Sequence, residues 1–471
     1  MKVTAVYSFA LVAIRGTAAA ISSAKGISSR DVEERQLIGG LVGGVVNGLD
    51  DAVSRLLGTL HDAVEAGDID EVLDILRKLK PTKTLASVEE ASAIVKQIVT
   101  STPSSIVELQ GQFIANGVIS GTVDDLFSFA SGLATKKSGH DNVNPNPPTA
   151  VYPKAAPCDA PYSTSESDLR SAIFIPDSFT YGEKPPVILF PGTGLTGCIS
   201  YAGKFIPLLS DVDWADPVWV NVPGFLLDDA QVNAEYAAYA LNYIASLTGR
   251  DVSIIAWSQG TIDTQWALKY WPSTREITTD LIAISGDYKG TVLANVLGLT
   301  GIANDPSVLQ QAAGSDFITT LRSDDGGSGY IPTTNIYSGF LDEIVQPQSV
   351  IGASIYLLDA RGVGVTNSEL QVVCQGQPAG TFYTHESILV NPLTFALAKD
   401  ALTHDGPGEP SRLDLTEICS TYLTPGLGLG DFLLTETSLL IAVLEVILYA
   451  PKSLEEPDIM PYATAGLSSC S

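Results

Sequence analysis

The chain predicts an α/β architecture over residues 158–471: a mostly parallel sheet with helices on both faces, preceded by a separate helical region. Three observations predict it. From Cys158 onward, short apolar or β-branched runs alternate with helix-patterned stretches, which is how a doubly wound parallel sheet reads in sequence. The run Val252 to Ile255 leads directly into Ala256-Trp257-Ser258-Gln259-Gly260, and a helical pattern then continues to Tyr270-Trp271-Pro272. Each further candidate for chemistry also falls shortly after one of the apolar runs, and chemistry in open α/β sheets gathers at the carboxyl ends of strands.

The N-terminus reads as a secretion signal over residues 1–20. Lys2 supplies the positive start, Val3 to Ile14 an apolar segment closed by Arg15, and Ala18-Ala19-Ala20 a small-residue cleavage site. The segment is too short to span a bilayer, and secretion would permit disulfides. Residues 37–136 look helical. Val53, Leu56, Leu57, Leu60 and Val64 recur at helical intervals, as do Val72, Leu73, Ile75, Leu76 and Leu79. Ser87-Val88-Glu89-Glu90 and Thr122-Val123-Asp124-Asp125 resemble capping boxes. This region could be a pro-region, a cap or an interaction module, and it holds no catalytic cluster. His61 reads as a satisfied or solvated side chain. Residues 137–157, rich in proline and asparagine, read as an extended linker in which His140 is exposed.

In the catalytic half the expected strands are Val187 to Phe190, Val218 to Val220, Val252 to Ile255, Leu281 to Ile284, Thr334 to Tyr337 and Leu370 to Val373. A serine on a sharp turn between strand and helix is how α/β-hydrolases present a nucleophile, so Ser258 is the candidate. Gly260 lets strand and helix pack closely. Ala256 stands where the motif usually has a glycine.

The loop Pro191-Gly192-Thr193-Gly194-Leu195-Thr196-Gly197 follows the first run and suits an oxyanion hole of backbone amides and a hydroxyl. Its glycines also match a nucleotide-binding spacing. However, the next run closes on Asn221 rather than an acid, and Cys198 stands where a phosphate loop needs lysine. A serine hydroxyl needs a neighbouring imidazole as base. His385 follows the last expected strand and is favoured over His404, which lies in a polar turn. The acid must fall between serine and histidine in chain order, where Asp342 and Glu343 are not separated by spacing.

Acidic residues outnumber basic ones 53 to 26, for a net charge of −27. Such a surface repels nucleic-acid backbones, so no nucleic-acid partner is expected. The five cysteines show no paired spacing of the kind zinc uses, and no metal or cofactor is expected. The apolar stretch Gly428 to Ala450 is interrupted by Glu436 and Glu445, so it reads as a buried or mouth-lining helix rather than a membrane span.

The catalytic half resembles the Candida antarctica lipase B family of α/β-hydrolases. The resemblance rests on Pro191 through Gly197, Trp257-Ser258-Gln259-Gly260, Asp287-Tyr288-Lys289-Gly290-Thr291, Pro332-Thr333-Thr334-Asn335, Asp342 to Gln348 and Glu456 to Tyr462, in the family's order. It implies Ser258 as nucleophile, Asp342 as orienting acid and His385 as base, with Thr193 and Gln259 forming the oxyanion hole. It implies Trp257, Asp287, Ile344 and Ile447 around the substrate. It places the stretch Leu293 to Asp305 as a lid-like segment facing the mouth helix, with Leu293, Val296, Leu297, Leu299 and Ile302 apolar. It implies a Cys374–Cys419 bridge. Cys158 matches half of another family bridge, for which Cys198 would stand in, leaving Cys470 unpaired or bridging chains. Thr384 replaces the family's aspartate before the histidine, and Glu386 follows it.

The expected activity is hydrolysis of a carboxylic ester or lipid, possible triacylglycerol included, by a secreted enzyme in transient contact with a lipid interface. The alternatives are acyl transfer from the same acyl-enzyme, or a non-catalytic binding protein on the same scaffold.

Overall fold

The computed structural model describes residues 51–464 apart from 102, 104, 120, 131–135, 293 and 295–303. The expected secretion signal, Cys470 and most of the expected lid-like stretch lie outside the described residues. Described residues up to Leu126 form one compact unit and those from Phe127 onward a second.

The first unit is helical: α1 (Asp51–Ala66), α2 (Ile69–Lys78), α3 (Val88–Thr100), α4 (Ile106–Ala115) and the first half of α5 (Val123–Ala130). Val72, Leu73, Ile75 and Leu76 of α2 are buried, as their helical spacing requires. Asp68, Ser87 and Ser105 cap the next three helices, each accepting a first-turn amide. The Thr122 box is reciprocal: its hydroxyl accepts the Asp125 amide at 3.1 Å and the Asp125 carboxylate accepts the Thr122 amide at 3.0 Å. The Ser87 box is half formed, because Glu90 accepts from Ala86 instead. Gly111 lets α4 approach α1, since a Cβ there would lie 2.5 Å from Leu60. His61 pairs with Glu108 at 2.8 Å.

The second unit is built on a seven-stranded sheet in the order β1-β3-β2-β4-β5-β6-β7. The strands are β1 (Ile173–Phe174), β2 (Pro186–Phe190), β3 (Asp216–Val220), β4 (Val252–Trp257), β5 (Thr278–Ile284), β6 (Thr333–Tyr337) and β7 (Val365–Glu369). Every pair is parallel except β1 with β3. All residues of β2, β3 and β4 are buried, because helices cover both faces and no solvated side calls for alternation. The main helices around the sheet are α6 (Gly197–Tyr201), α7 (Ala230–Thr248), α8 (Gln259–Tyr270), α9 (Pro306–Gln310), α10 (Pro392–Thr403) and α11 (Leu429–Leu448). The chain leaves β2 for β3 and returns to β4 on the other side of β2. That reversal opens a crevice at the carboxyl ends of β2 and β4.

Two expectations are corrected. Leu370 to Val373 is one turn of helix, and the last strand is the preceding Val365–Glu369. Pairing with β6 ends at Tyr337 opposite Glu369, after which the Cys374 amide closes a helical bond to Leu370. A four-residue apolar run suits either state, and its periodicity does not choose.

The Cys158–Cys198 bridge is not formed. Cys158 is disulfide-bonded, whereas Cys198 is a buried thiol. Ala160 bonds to Tyr270 at the far end of α8, while Cys198 bonds to Asn221 at the carboxyl end of β3. A twelve-residue helix spans about 18 Å, and a bridge requires Cα atoms within about 7 Å. The Cys374–Cys419 bridge is present, with a Cα–Cα distance of 5.4 Å.

Residues 139–157, expected as part of a linker, carry no helix or strand and are fastened to the second unit. Asn142 and Asn144 donate to the carbonyls of Ser171, Arg170 and Ile173, and Tyr243 donates to Pro145. Trp219 and Asn221 both donate to the Lys137 carbonyl. His140 is exposed.

Candidate active site

The Ser258 turn is held in a conformation that side chains rarely adopt. Ser258 follows β4 with φ 55° and ψ −132°, and Gln259 opens α8 immediately. Such backbone costs about 1–3 kcal/mol and persists only where its surroundings impose it. Here the Ser258 amide donates to Ile284 of β5 at 3.0 Å, and the Ser258 carbonyl accepts from the Thr261 hydroxyl at 2.8 Å. Gly260 is required by close approach: a Cβ there would lie 2.2 Å from the Pro191 carbonyl oxygen. The serine turn and the Pro191 loop are thereby pressed together.

Asp342 and Glu343, not separable by spacing, take different tasks. Nδ1 of His385 lies 2.9 and 3.0 Å from the two carboxylate oxygens of Asp342. Oδ1 of Asp342 also accepts the amides of Ile344 and Val345, at 3.0 and 2.8 Å, which fixes the carboxylate's orientation. Glu343 instead accepts the backbone amide of His385 at 3.0 Å. Trp257 donates from Nε1 to the His385 carbonyl at 3.1 Å, and its ring lies 5.1 Å from the imidazole. The residue preceding Ser258 is thus tied directly to the histidine loop. Ser258 and His385 are 4% and 3% exposed, so the hydroxyl and imidazole sit where bulk water hardly competes. Burial alone would lower the imidazole pKa. Asp342, then Glu343 and Asp287, outweigh burial and raise it above the ordinary 6.5. His404 is elsewhere, half exposed and paired with Asp400.

The oxyanion candidates meet in one hydrogen-bond network. The Thr193 hydroxyl donates to Oε1 of Gln259 at 2.8 Å, and Gln311 donates to the same oxygen at 2.9 Å. Gln259 donates from Nε2 to the Leu226 carbonyl at 2.9 Å. With its side chain fixed, Gln259 presents a first-turn helix amide, one of the donors a helix leaves without an internal partner. Gly194, with φ 72°, packs against α11: a Cβ there would meet Cα of Ala442 at 2.8 Å. Sequence reasoning missed Gln311 and Asp263. Asp263 is buried below Gln259, with a carboxylate oxygen 3.4 Å from Nε2. A glutamine just past the lid-like stretch and an acid one helical turn after Gln259 were the available signals.

Of the residues expected around the substrate, Trp257 is nearly buried beside the imidazole, and Ile344 and Ile447 are half-buried. Ile344 follows the Asp342 loop, and Ile447 lies on α11 beyond Ala442. Asp287 is fully buried, and neither of its carboxyl oxygens has a hydrogen-bond partner among the described residues. Burial raises its pKa to about 7, and its charge acts on His385. No group of acid, histidine or cysteine side chains among the described residues is arranged to hold a metal. No helix among them is long and apolar enough to cross a membrane.

A mostly parallel sheet with a strained serine after its central strand, and an Asp–His pair on later loops, defines the α/β-hydrolase class. No family model matches the chain. It is 33% identical to lipase B of Pseudozyma antarctica over 326 residues, which span 66% of this chain and 90% of that protein. The crystal structure of Aspergillus fumigatus lipase B matches with a TM-score of 0.77 at 44% identity, over 87% of this chain and 99% of that one. The chain belongs to the lipase B family and is a carboxylic ester hydrolase of lipase or esterase type.

Proposed function

We propose that the protein is an extracellular lipase that cleaves esters, triacylglycerols among them, through an acyl-enzyme on Ser258. The observation carrying this reading is the double contact of His385 with Asp342 on a loop that Trp257 ties to the nucleophile turn. His385 accepts the Ser258 proton as the hydroxyl attacks the ester carbonyl. The alkoxide is stabilised by amides of Thr193 and Gln259 and by the Thr193 hydroxyl, which turns its one proton from Oε1 of Gln259 to the developing charge. His385 then protonates the leaving alcohol, and a water activated by the same imidazole releases the acid. Asp342 keeps Nδ1 protonated and stabilises the imidazolium. The Cys374–Cys419 bridge suits an oxidising compartment. Ser258→Ala is expected to abolish hydrolysis of p-nitrophenyl butyrate while preserving the circular dichroism spectrum and thermal midpoint. Undiminished turnover would exclude Ser258 as nucleophile.

A second reading, acyl transfer to an alcohol, is favoured by the near-complete burial of Ser258 and His385, which limits water at the acyl-enzyme. Partition between acid and ester product in the presence of an alcohol acceptor separates the two.

A further inference from the structure

Behind the catalytic histidine lies a second set of ionisable groups that the reaction does not use. Lys204 follows α6, Glu343 follows β6, Glu386 follows His385, and Glu436 lies on α11. Lys204, Glu386 and Glu436 are almost completely buried. Nζ of Lys204 has no hydrogen-bond partner among the described residues, whereas the carboxyls of Glu343 and Glu386 hydrogen-bond to each other and so share a proton. Nζ of Lys204 sits 5.4 Å from the centre of the Trp257 ring. Oε1 of Glu436 accepts the Thr384 hydroxyl at 3.1 Å, and Thr384 is bonded in turn to Ser387 at 2.6 Å.

Three carboxyls and one ammonium cannot all be charged in such a place. Burial raises Glu343 to about 7, Glu436 to about 8 and Glu386 well above the carboxylate range. It lowers Lys204 to about 7, with Glu386 and Glu436 pulling the other way. Asp342 and His385 face the set from the triad side, and Tyr422 faces Glu436. The set therefore shares protons near neutrality, and its net charge grows more negative as pH rises.

That charge has a direct route to the base. Glu343, which faces Glu386 and Glu436, is the acceptor of the His385 amide. Trp257, which faces Lys204, donates to the carbonyl of the same residue. We propose that Lys204 and Glu436 are positioning residues which, with Glu386, hold Glu343 against the His385 backbone and so aim the imidazole at Ser258. The inference rests on the reading of His385 as the base in ester hydrolysis.

The alkaline limb of the kcat–pH profile with p-nitrophenyl butyrate tests it. Glu436→Gln removes a like charge from the set, so Glu343 and Glu386 lose their shared proton at lower pH and the limb moves to lower pH by about half a unit or more. Lys204→Met removes the cation that favours ionisation of the carboxyls, and the limb moves to higher pH. Combining the two returns it toward the wild type. Opposite shifts are not produced by a packing role. A Glu436→Gln profile that superimposes on the wild type, or shifts of the same sign in both variants, overturns the inference. If Lys204→Met does not fold, the Glu436→Gln limb decides alone. Labelling of wild-type Ser258 by an active-site phosphonate is measured alongside. Labelled, active wild type with an unmoved Glu436→Gln limb refutes only this inference; absent labelling refutes the reading beneath it.

Discussion

Replacing Asp342 by asparagine isolates what the carboxylate does for the base. Oδ1 accepts the amides of Ile344 and Val345 at 3.0 and 2.8 Å, so the amide oxygen of asparagine keeps that position. The new NH2 group then occupies the place of Oδ2, 2.9 Å from Nδ1 of His385. A donor facing Nδ1 drives the imidazole proton onto Nε2, the atom that must take the proton from Ser258. The imidazolium formed during reaction also loses its counter-charge. The same change in a serine protease triad lowers kcat by about 10⁴, and we expect a fall of about 10³ to 10⁴ in kcat/KM here. That equals about 4–5.5 kcal/mol of transition-state stabilisation. The loop's two backbone bonds survive, so the thermal midpoint moves by only a few degrees. The assay is steady-state hydrolysis of p-nitrophenyl butyrate at pH 8 beside calorimetry. A loss smaller than tenfold in a protein of unchanged midpoint would refute the tautomer argument.

Gly260→Ala places a Cβ 2.2 Å from the Pro191 carbonyl oxygen, so it is expected to lower stability by about 1–3 kcal/mol and to disturb the serine turn; a wild-type urea midpoint would contradict the close packing. The pH dependence of kcat/KM follows from the raised His385 pKa. An imidazolium cannot accept the Ser258 proton, so activity is lost as pH falls through a midpoint above 6.5, and a midpoint at or below that value would show that burial outweighs Asp342.

What the sequence made legible was whatever has a local physical signature. A strand end, a serine and a small residue before a helix marked the Ser258 turn, and the place after the last apolar run marked His385. Parallel strands buried on both faces announced themselves as unbroken apolar runs. The same runs misled at Leu370 to Val373, where four apolar residues satisfy a helical turn equally well. Asp342 and Glu343 stayed ambiguous because adjacent residues differ in direction, and direction depends on the loop. The Cys158–Cys198 pairing failed because a resemblance supplies one half of a bridge but not the distance to the other. Gln311 and the Lys204, Glu386 and Glu436 set were invisible for a related reason: each member is ordinary alone, and only folding brings them together.

The contact between Gly194 and Ala442 carries a consequence for altering selectivity. The loop bearing Thr193 and the helix α11 share a wall with no room for even a methyl group on the loop side. Positions on α11 therefore do not contribute equally to a library aimed at new substrates. Under the proposed reading, Ile447, further along the helix and half-buried, is where side-chain volume would be exchanged for substrate room. At Ala442 any enlargement pushes on the oxyanion loop first, so a change made there for fit is read out as a loss of rate.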